Sequence, residues 1–199
     1  MDKRAVDAAR TEYGRAVESA AAVATAIDFQ VLEKNWTAFL VAAGRVFTKL
    51  EQGAKVAPKS KAWWGKQVHQ RRTDPLLAYL WHARNADEHT LQQVTELHPG
   101  NATMVDPTKE DVAALKYAME KETRPWVPLE LVEWVPQHVM LLPVKDRGVL
   151  YQPPSAHLGT QITSTSPART AELALAFLDT MVEEADELSR EHVNEGGML

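Results

Sequence analysis

The chain has 199 residues, a formal net charge of −5, 45% hydrophobic residues, 25% charged residues and no cysteine. This balance is typical of a globular domain that buries its own core, and it excludes a disordered, collagen-like or low-complexity chain. The lack of cysteine excludes disulfides, thiolate metal sites and cysteine nucleophiles. No apolar run approaches the roughly 20 residues that span a bilayer, and residues 1–15 lack a secretory signal pattern. We therefore expect a cytoplasmic protein without membrane contact.

The acidic total conceals a strongly basic segment. Residues 45–72 carry eight basic side chains and one acidic side chain, a local net charge of +7. The last 29 residues carry eight carboxylates and one arginine. Because phosphate groups respond to the local potential, the negative net charge does not exclude a nucleic-acid partner.

Two long helices are predicted in the first third of the chain. Apolar residues recur every three or four positions from Val6 to Ile27 and again from Val31 to Leu50, which is the spacing of one helical face. Both segments exceed 18 residues, so we expect two long antiparallel helices. The second helix should end between Gly53 and Pro58. Residues 54–73 are expected to form a polar, basic segment with one short helix.

The dipeptide Asp74-Pro75 predicts the start of the third long helix. Aspartate at the N-cap accepts hydrogen bonds from the first free amides, and proline at the first helical position sacrifices no hydrogen bond. We expect this helix to continue to about His98, where Pro99 and Gly100 stop it.

The last third of the chain predicts a further helix, a hairpin and a final helix. A second Asp-Pro pair at residues 106–107 predicts a helix through Lys121. Residues 129–154 mix β-branched, aromatic and apolar side chains with four prolines, too many for a long helix. We expect a β-hairpin between about residues 137 and 152 with Gly148 at a positive-φ position.

Residues 153–166 are expected to form a loop, and Ser166 and Pro167 predict the start of a last helix that ends near Gly196. The expected fold is mainly α, a four-helix-type bundle with a small β-hairpin insertion before the last helix. We expect one domain that spans residues 1–199.

The third long helix carries a dense polar group around Arg84, Asn85 and His89. Asn85 and His89 are four positions apart and therefore share a face of the helix. His82 lies seven positions before His89 on the same side. The run Arg-Asn-Ala-Asp-Glu-His at residues 84–89 resembles the Arg-polar-x-x-x-His signature of the HEPN superfamily.

This resemblance implies an all-helical protein of a kind found largely in prokaryotic defence and toxin–antitoxin systems. In that family the motif lies in a four-helix bundle, two protomers bring their motifs together, and many members are metal-independent endoribonucleases. The resemblance therefore implies an RNA substrate or RNA ligand, a homodimer, no metal and no cofactor. An antitoxin or a nucleotidyltransferase is the further partner that it implies.

The three motif residues suit the cleavage of RNA without a metal. His89 is the candidate general acid or base, because imidazole changes its charge near neutral pH. Arg84 is the candidate for binding the phosphate with two hydrogen bonds and for stabilising the charge that develops on it. Asn85 would orient the phosphate or the imidazole. Since one protomer supplies one motif histidine, acid and base would need both protomers of a dimer.

The basic segment before this helix is a candidate RNA-binding surface. Tryptophan flanked by lysine and arginine suits base stacking and phosphate contact in single-stranded RNA. The alternative is that the indole packs against the bundle while the charges face solvent. The candidate RNA-binding residues are Lys61, Trp64, Lys66, Arg71 and Arg72.

Two other classes of function are open. Arg84 and Glu88 have the spacing of an ion pair on an exposed helix, so the chain could instead be a non-catalytic helical interaction or assembly module. A serine hydrolase and a nucleotide-binding loop are not indicated, since no GxSxG, GxGxxG or GxxxxGK[ST] motif occurs. Neither HExxH nor Glu-x-x-His occurs, so a metal site would need tertiary structure to gather histidines such as His69, His82, His89 and His98.

Overall fold

The computed structural model describes residues 1–90, 92–121 and 132–196, and it describes the side chains of these residues except at 88–90, 104 and 192–196. The chain divides into two compact units, one formed by residues 1–96 and 139–199 and the other by residues 97–138. The described part is mainly helical, with six helices and a few short antiparallel strand pairs. The mainly α class predicted from the sequence is confirmed.

In the described part of the chain four helices come first, followed by short strands with one helix among them and then by a last long helix. The helices are α1 (Lys3–Thr25), α2 (Phe29–Ala54), α3 (Pro58–Thr73), α4 (Pro75–Thr90), α5 (Lys109–Glu120) and α6 (Pro167–Gly196). The strands are β1 (Thr95–His98), β2 (Asn101–Met104), β3 (Val132–Val135), β4 (His138–Leu141), β5 (Val144–Asp146), β6 (Val149–Tyr151), β7 (Ala156–His157) and β8 (Thr160–Gln161). They pair two by two, as β1 with β4, β2 with β3, β5 with β6 and β7 with β8.

Helices α1 and α2 form the antiparallel pair that the apolar spacing predicts. The amide of Asp2 donates to the carbonyl of Gly53 at 3.0 Å, which places the start of α1 at the end of α2. Side chains of Asp2 and Asp28 cap the two helices by accepting from backbone amides two or three positions on. The apolar residues predicted to line one face from Val6 to Ile27 are buried except at Tyr13, which is half-buried, and at Val17 and Ile27. Ile27 lies beyond the end of α1 and is fully exposed.

The core of the first unit lies between α1, α2, α4 and α6. Each large apolar side chain buried here contributes about 1.5–3 kcal/mol relative to its exposed state. The largest members of this core include Val6 and Val23 of α1, Trp36, Phe39, Leu40, Val46, Phe47 and Leu50 of α2, Leu76, Leu77 and Tyr79 of α4, and Leu178, Met181 and Val182 of α6.

Helix α3 is longer than the short helix expected for residues 54–73, because α6 supports it. The helix spans 16 residues. Trp63 Nε1 and Gln67 Nε2 both donate to one carboxylate oxygen of Glu184, at 2.8 and 3.1 Å. Lys59 pairs with Glu191 of the same helix. The basic segment and the acidic last helix are therefore complementary in charge, a contact that local propensity does not reveal.

Helix α4 begins at Pro75 as predicted, but it ends at Thr90 rather than near His98. Residues 95–98 form strand β1 instead. The carbonyl of Val94 accepts from the amide of Leu142 at 3.0 Å, and the side chain of Gln92 bonds both to the carbonyl of Pro143 and to the amide of Lys145. The expected helix extension was wrong because hydrogen bonds to a distant segment replace the helical ones.

In the second unit, α5 confirms the helix predicted after Asp106 and Pro107, with a later start. Its N-cap is Thr108, whose hydroxyl accepts from the amide of Asp111 while the Asp111 carboxylate accepts from the amide of Thr108. This capping box sets the first turn of the helix. Strands β2 and β3 pair antiparallel from Asn101 opposite Val135 to Met104 opposite Val132.

Two short hairpins precede α6. The predicted hairpin is present as β5 and β6, but it covers only residues 144–151 of the expected range 137–152, because β4 pairs with β1 instead. Its turn residues Arg147 and Gly148 have φ values of 49° and 84°. Positive φ at both central positions matches the right-handed strand twist of a tight hairpin. A second hairpin, β7–β8, lies within residues 153–166, where only a loop was expected. Helix α6 begins at Pro167 as predicted, and no described helix combines the length and apolarity that a membrane span requires.

Candidate functional site

A cleft of about 300 Å³ lies where α3, α4 and the β5–β6 turn meet, within the first unit. Helical spacing explains the α4 side of the cleft, because positions 81, 82 and 85 share one face. We call it the arginine cleft, and the residues that define it are Arg71 and Arg72 of α3, Trp81, His82 and Asn85 of α4, and Asp146 and Arg147 of the hairpin.

The three arginines reach the cleft from two elements. Arg71 and Arg72 occupy the last turn of α3, where cations interact favourably with the helix dipole. Arg147 is the first turn residue of the β5–β6 hairpin. Among the described residues, no carboxylate forms an ion pair with the guanidinium group of Arg71, Arg72 or Arg147. Among its lining residues the cleft thus sets three arginines against the one carboxylate of Asp146, which leaves an excess of positive charge.

Arg71 is held by aromatic rings rather than by an acid. Its guanidinium carbon lies 3.8 Å from the centroid of the Trp81 ring and 5.3 Å from that of Phe47. Burial, and then the neighbouring Arg72, lower the pKa of the Arg71 guanidinium. An arginine nevertheless stays charged in proteins. Its position is therefore fixed by cation–π contact while its hydrogen-bond donors stay available for an anion.

A hydrogen-bonded group of three polar side chains lies beside the arginines. One carboxylate oxygen of Asp146 is 2.7 Å from His82 Nδ1 and accepts from Asn85 Nδ2 at 3.0 Å. The hydrogen bonds from His82 and then from Asn85 lower the pKa of the Asp146 carboxyl. The ring of His82 stacks on Tyr151 of β6, with centroids 3.6 Å apart and an interplanar angle of 12°.

The structure brings three of the eight candidate site residues into this cleft: Asn85, Arg71 and Arg72. Arg84 points to another side of α4. Its Cδ lies 2.7 Å from where a Cβ would stand on Gly44 of α2. Position 89 follows the helical spacing of His82 and Asn85, but the side chain of His89 lies outside the described residues.

The other candidate RNA-binding residues lie on α3 away from the cleft. Lys61 and Lys66 are exposed. The half-buried Trp64 packs against the core, with its ring centroid 6.3 Å from Phe47 and 6.2 Å from Trp63. The Trp64 indole therefore packs against the bundle, as in the alternative to base stacking.

Asp146, Arg147 and Tyr151 were not predicted as members of the site, and His82 was noted only for its position on the same side of the helix as His89 and as a possible metal ligand. Charged residues in a hairpin turn were visible in the sequence. What the sequence did not indicate is that this turn packs against α4, because Asp146 is 64 positions from His82 and 61 from Asn85.

A second histidine–aspartate pair lies elsewhere in the same unit. His157 Nδ1 is 3.0 Å from one oxygen of Asp74, the N-cap of α4, and that oxygen also accepts from the amide of Leu77 at 2.9 Å. The other oxygen accepts from the amide of Leu158 at 2.7 Å. Both side chains are buried. This pair attaches the β7–β8 hairpin to the start of α4.

The donor set of the arginine cleft suits an anion rather than a cation. Among the residues that the structure describes, no group of three or more histidine and carboxylate side chains could hold a metal ion. Comparison of the chain with models of known protein families, with curated proteins and with solved structures finds no match.

Proposed function

We propose that the protein is a HEPN-like, metal-independent endoribonuclease or RNA-binding protein that acts as a homodimer in defence or in a toxin–antitoxin system. The observation that carries the proposal is the arginine cleft. It gathers three arginines, none of which forms a contact ion pair among the described residues, next to Asn85 of the Arg-polar-x-x-x-His motif.

The chemistry of the cleft matches the backbone of RNA. A guanidinium presents a planar fork of donors that can bind a phosphate with two parallel hydrogen bonds. Arg71 and Arg72 come from one helix end and Arg147 from the facing turn, so the cleft can hold adjacent phosphate oxygens from two sides. Binding would release condensed counterions and would therefore weaken as salt is raised.

The proposed fold that accompanies this function is a four-helix-type bundle of α1, α2, α4 and α6 in a single domain of residues 1–199. Support for the bundle comes from the common core to which these four helices contribute. In the homodimer, His89 supplies proton transfer and Arg84 stabilises the phosphate. An antitoxin or a nucleotidyltransferase is the proposed further partner.

RNA binding is tested with a labelled single-stranded RNA by fluorescence anisotropy at several salt concentrations. Replacing both Arg71 and Arg72 by glutamine should weaken binding by about tenfold or more at low salt. The same change should lower the salt slope by about 0.7 for each phosphate that the protein no longer neutralises. Lys34→Gln is the matched control. Lys34 is exposed on α2, so its substitution removes one positive charge away from the cleft. If the control loses as much RNA affinity per charge removed, only the net charge of the protein matters. That result would overturn the proposal that the cleft is the RNA site.

Cleavage is tested with the same RNA and three motif variants. We expect His89→Ala to abolish cleavage, Arg84→Lys to lose most of it because lysine lacks the two-pronged contact, and Asn85→Ala to be milder. A chelator should have no effect on the wild type, and products should end in a 2′,3′-cyclic phosphate. Full cleavage by His89→Ala would overturn the endoribonuclease.

One observation favours a second candidate function, a non-catalytic helical interaction or assembly module. The half-buried stem of Arg84 packs against α2 at Gly44, which is how a structural arginine on a helix contact behaves. Thermal melts of the same variants separate the two functions. If Arg84→Lys and His89→Ala both melt far below the wild type, these residues are structural and the module is the better description.

A further inference from the structure

Beyond the three motif residues, the arginine cleft contains one further titratable ring, that of His82, beside its three arginines. The neighbours of His82 in the cleft are Arg71 and Arg72 from α3, Arg147 from the hairpin turn and Trp81 from its own helix. Asp146 of β5 and Tyr151 of β6 contact the ring directly. We propose that His82, oriented by Asp146, is the general base of the arginine cleft for a phosphodiester bound by the three arginines. This inference rests on the proposed endoribonuclease function.

The hydrogen bonds of Asp146 determine which ring nitrogen of His82 carries a proton. The lowered pKa of Asp146 keeps its carboxylate ionised at neutral pH, and an ionised carboxylate only accepts hydrogen bonds. Asn85 Nδ2 already donates to the same oxygen. His82 Nδ1, 2.7 Å from that oxygen, must therefore be the protonated nitrogen. Neutral His82 then has its lone pair on Nε2, which is the nitrogen that can accept a proton from a substrate.

The ring is also held in one orientation. Asp146 fixes its Nδ1 edge, and Tyr151 covers one face at a centroid distance of 3.6 Å. The side chain of His82 is 23% exposed and that of Asp146 is 13% exposed, so solvent reaches the ring while the carboxylate is largely covered. A base that is already oriented loses little entropy when the substrate binds.

The second pair in the molecule shows what a purely structural version of this contact looks like. The carboxylate of Asp74 serves the amides of Leu77 and Leu158 as well as His157. The arginine that lines the pocket beside His157, Arg169, is already paired with Glu172 at 2.6 Å. In the arginine cleft, by contrast, Asp146 serves only side chains of α4 among the described residues.

The proposed step balances without a metal. The ribose 2′-hydroxyl gives its proton to Nε2 of His82, and the 2′-oxygen forms a bond to the adjacent phosphorus. The bond from phosphorus to the 5′-oxygen breaks with its electron pair on that oxygen, which takes a proton from the His89 imidazolium. Water then carries the proton from His82 to His89. The products are a 2′,3′-cyclic phosphate and a 5′-hydroxyl.

The test replaces His82 in one variant and His157 in another by asparagine. The asparagine amide nitrogen can take the place of Nδ1 in the hydrogen bond to the aspartate, and Nε2 is removed. Single-turnover cleavage of a labelled RNA is measured with the full chain in chelator. Binding is measured with an RNA that carries 2′-deoxyribose at the cleaved position. We expect His82→Asn to cut about 10²- to 10⁴-fold more slowly, in the range of lost general acid–base catalysis, with binding within about threefold of the wild type. His157→Asn should cut within about threefold of the wild-type rate.

Nitrogen NMR of histidine-labelled protein supplies a readout that a structural role would not move. At mildly alkaline pH, His82 should be protonated at Nδ1 and unprotonated at Nε2, and Asp146→Asn should mix the two tautomers. Protonation at Nε2 in the wild type would overturn the inference, as would wild-type cleavage by His82→Asn. A wild-type chain that binds RNA but forms no cyclic phosphate would overturn the endoribonuclease function itself, and this inference with it.

Discussion

The two histidine–aspartate pairs of this protein join the same kinds of side chain through the same ring nitrogen, yet their surroundings differ. The pair of His157 and Asp74 is buried, and its carboxylate also accepts two backbone amides. The pair of His82 and Asp146 borders a cleft with three arginines, and its carboxylate accepts from two side chains. The other donors around a carboxylate, rather than the histidine–aspartate pair itself, therefore distinguish a contact that stabilises the fold from one in a candidate site.

The largest expected difference concerns the stability that each aspartate contributes. Asp74→Ala removes the N-cap of α4 and leaves the amide of Leu158 and the buried ring of His157 without an acceptor. We expect a loss of about 2–4 kcal/mol in the free energy of unfolding. Asp146→Ala should cost about 1 kcal/mol, because its donors are partly exposed side chains. Urea unfolding at pH 7 measures both, and equal losses would contradict the distinction.

A smaller pair of effects is expected from the glycines of the two hairpin turns. Gly148 and Gly159 have φ values of 84° and 79°, and a Cβ at either would meet no atom within 4 Å. Alanine at each position should therefore cost the same, about 1–2 kcal/mol of backbone strain. RNA affinity should fall only for Gly148→Ala, because that turn carries Arg147 and follows Asp146. Equal RNA affinity of the two variants would show that the β5–β6 hairpin takes no part in RNA binding.

The smallest effect is a dependence on pH. The hydrogen bonds from His82 and then Asn85 lower the pKa of Asp146 below its ordinary 3.8. A depressed pKa in the folded state means that the ionised carboxylate stabilises the fold above the ordinary value, and that this stability is lost as pH falls through the folded value. We therefore expect Asp146→Asn to be less stable than the wild type at pH 5, by less than about 1 kcal/mol. The difference should shrink below about pH 4. Urea unfolding at pH 5, 4 and 3 measures it, and a gap that widens on acidification would contradict the assignment.

Local signals predicted much of the helical framework. Apolar residues at helical spacing predicted α1 and α2, and the Asp74-Pro75 dipeptide predicted the start of α4. The prediction for α4 succeeded because Asp74 and the Leu77 amide that it caps are only three residues apart. The β5–β6 hairpin was predictable for the same reason, since Gly148 marks its turn.

Errors arose where a distant segment competes with local preference. The end of α4 was placed about eight residues too late, because the hydrogen bonds of Gln92 and Val94 go to residues 142–145. The length of helix α3 was underestimated because hydrogen bonds to Glu184 of α6 support the helix. Neither partner can be identified from spacing within the segment itself.

The helical class, the N-cap of α4 and the polar face of α4 with Asn85 could be predicted from the sequence alone, because each depends on residues within a turn or two of one another. Tertiary packing is what brings Asp146 and Arg147 to this face and places Arg71 and Arg72 at the other side of the cleft. Their meeting depends on burial of the shared core and on hydrogen bonds that span 61 and 64 positions. Such long-range contacts follow from the packing of whole elements, so no local pattern in the chain records them.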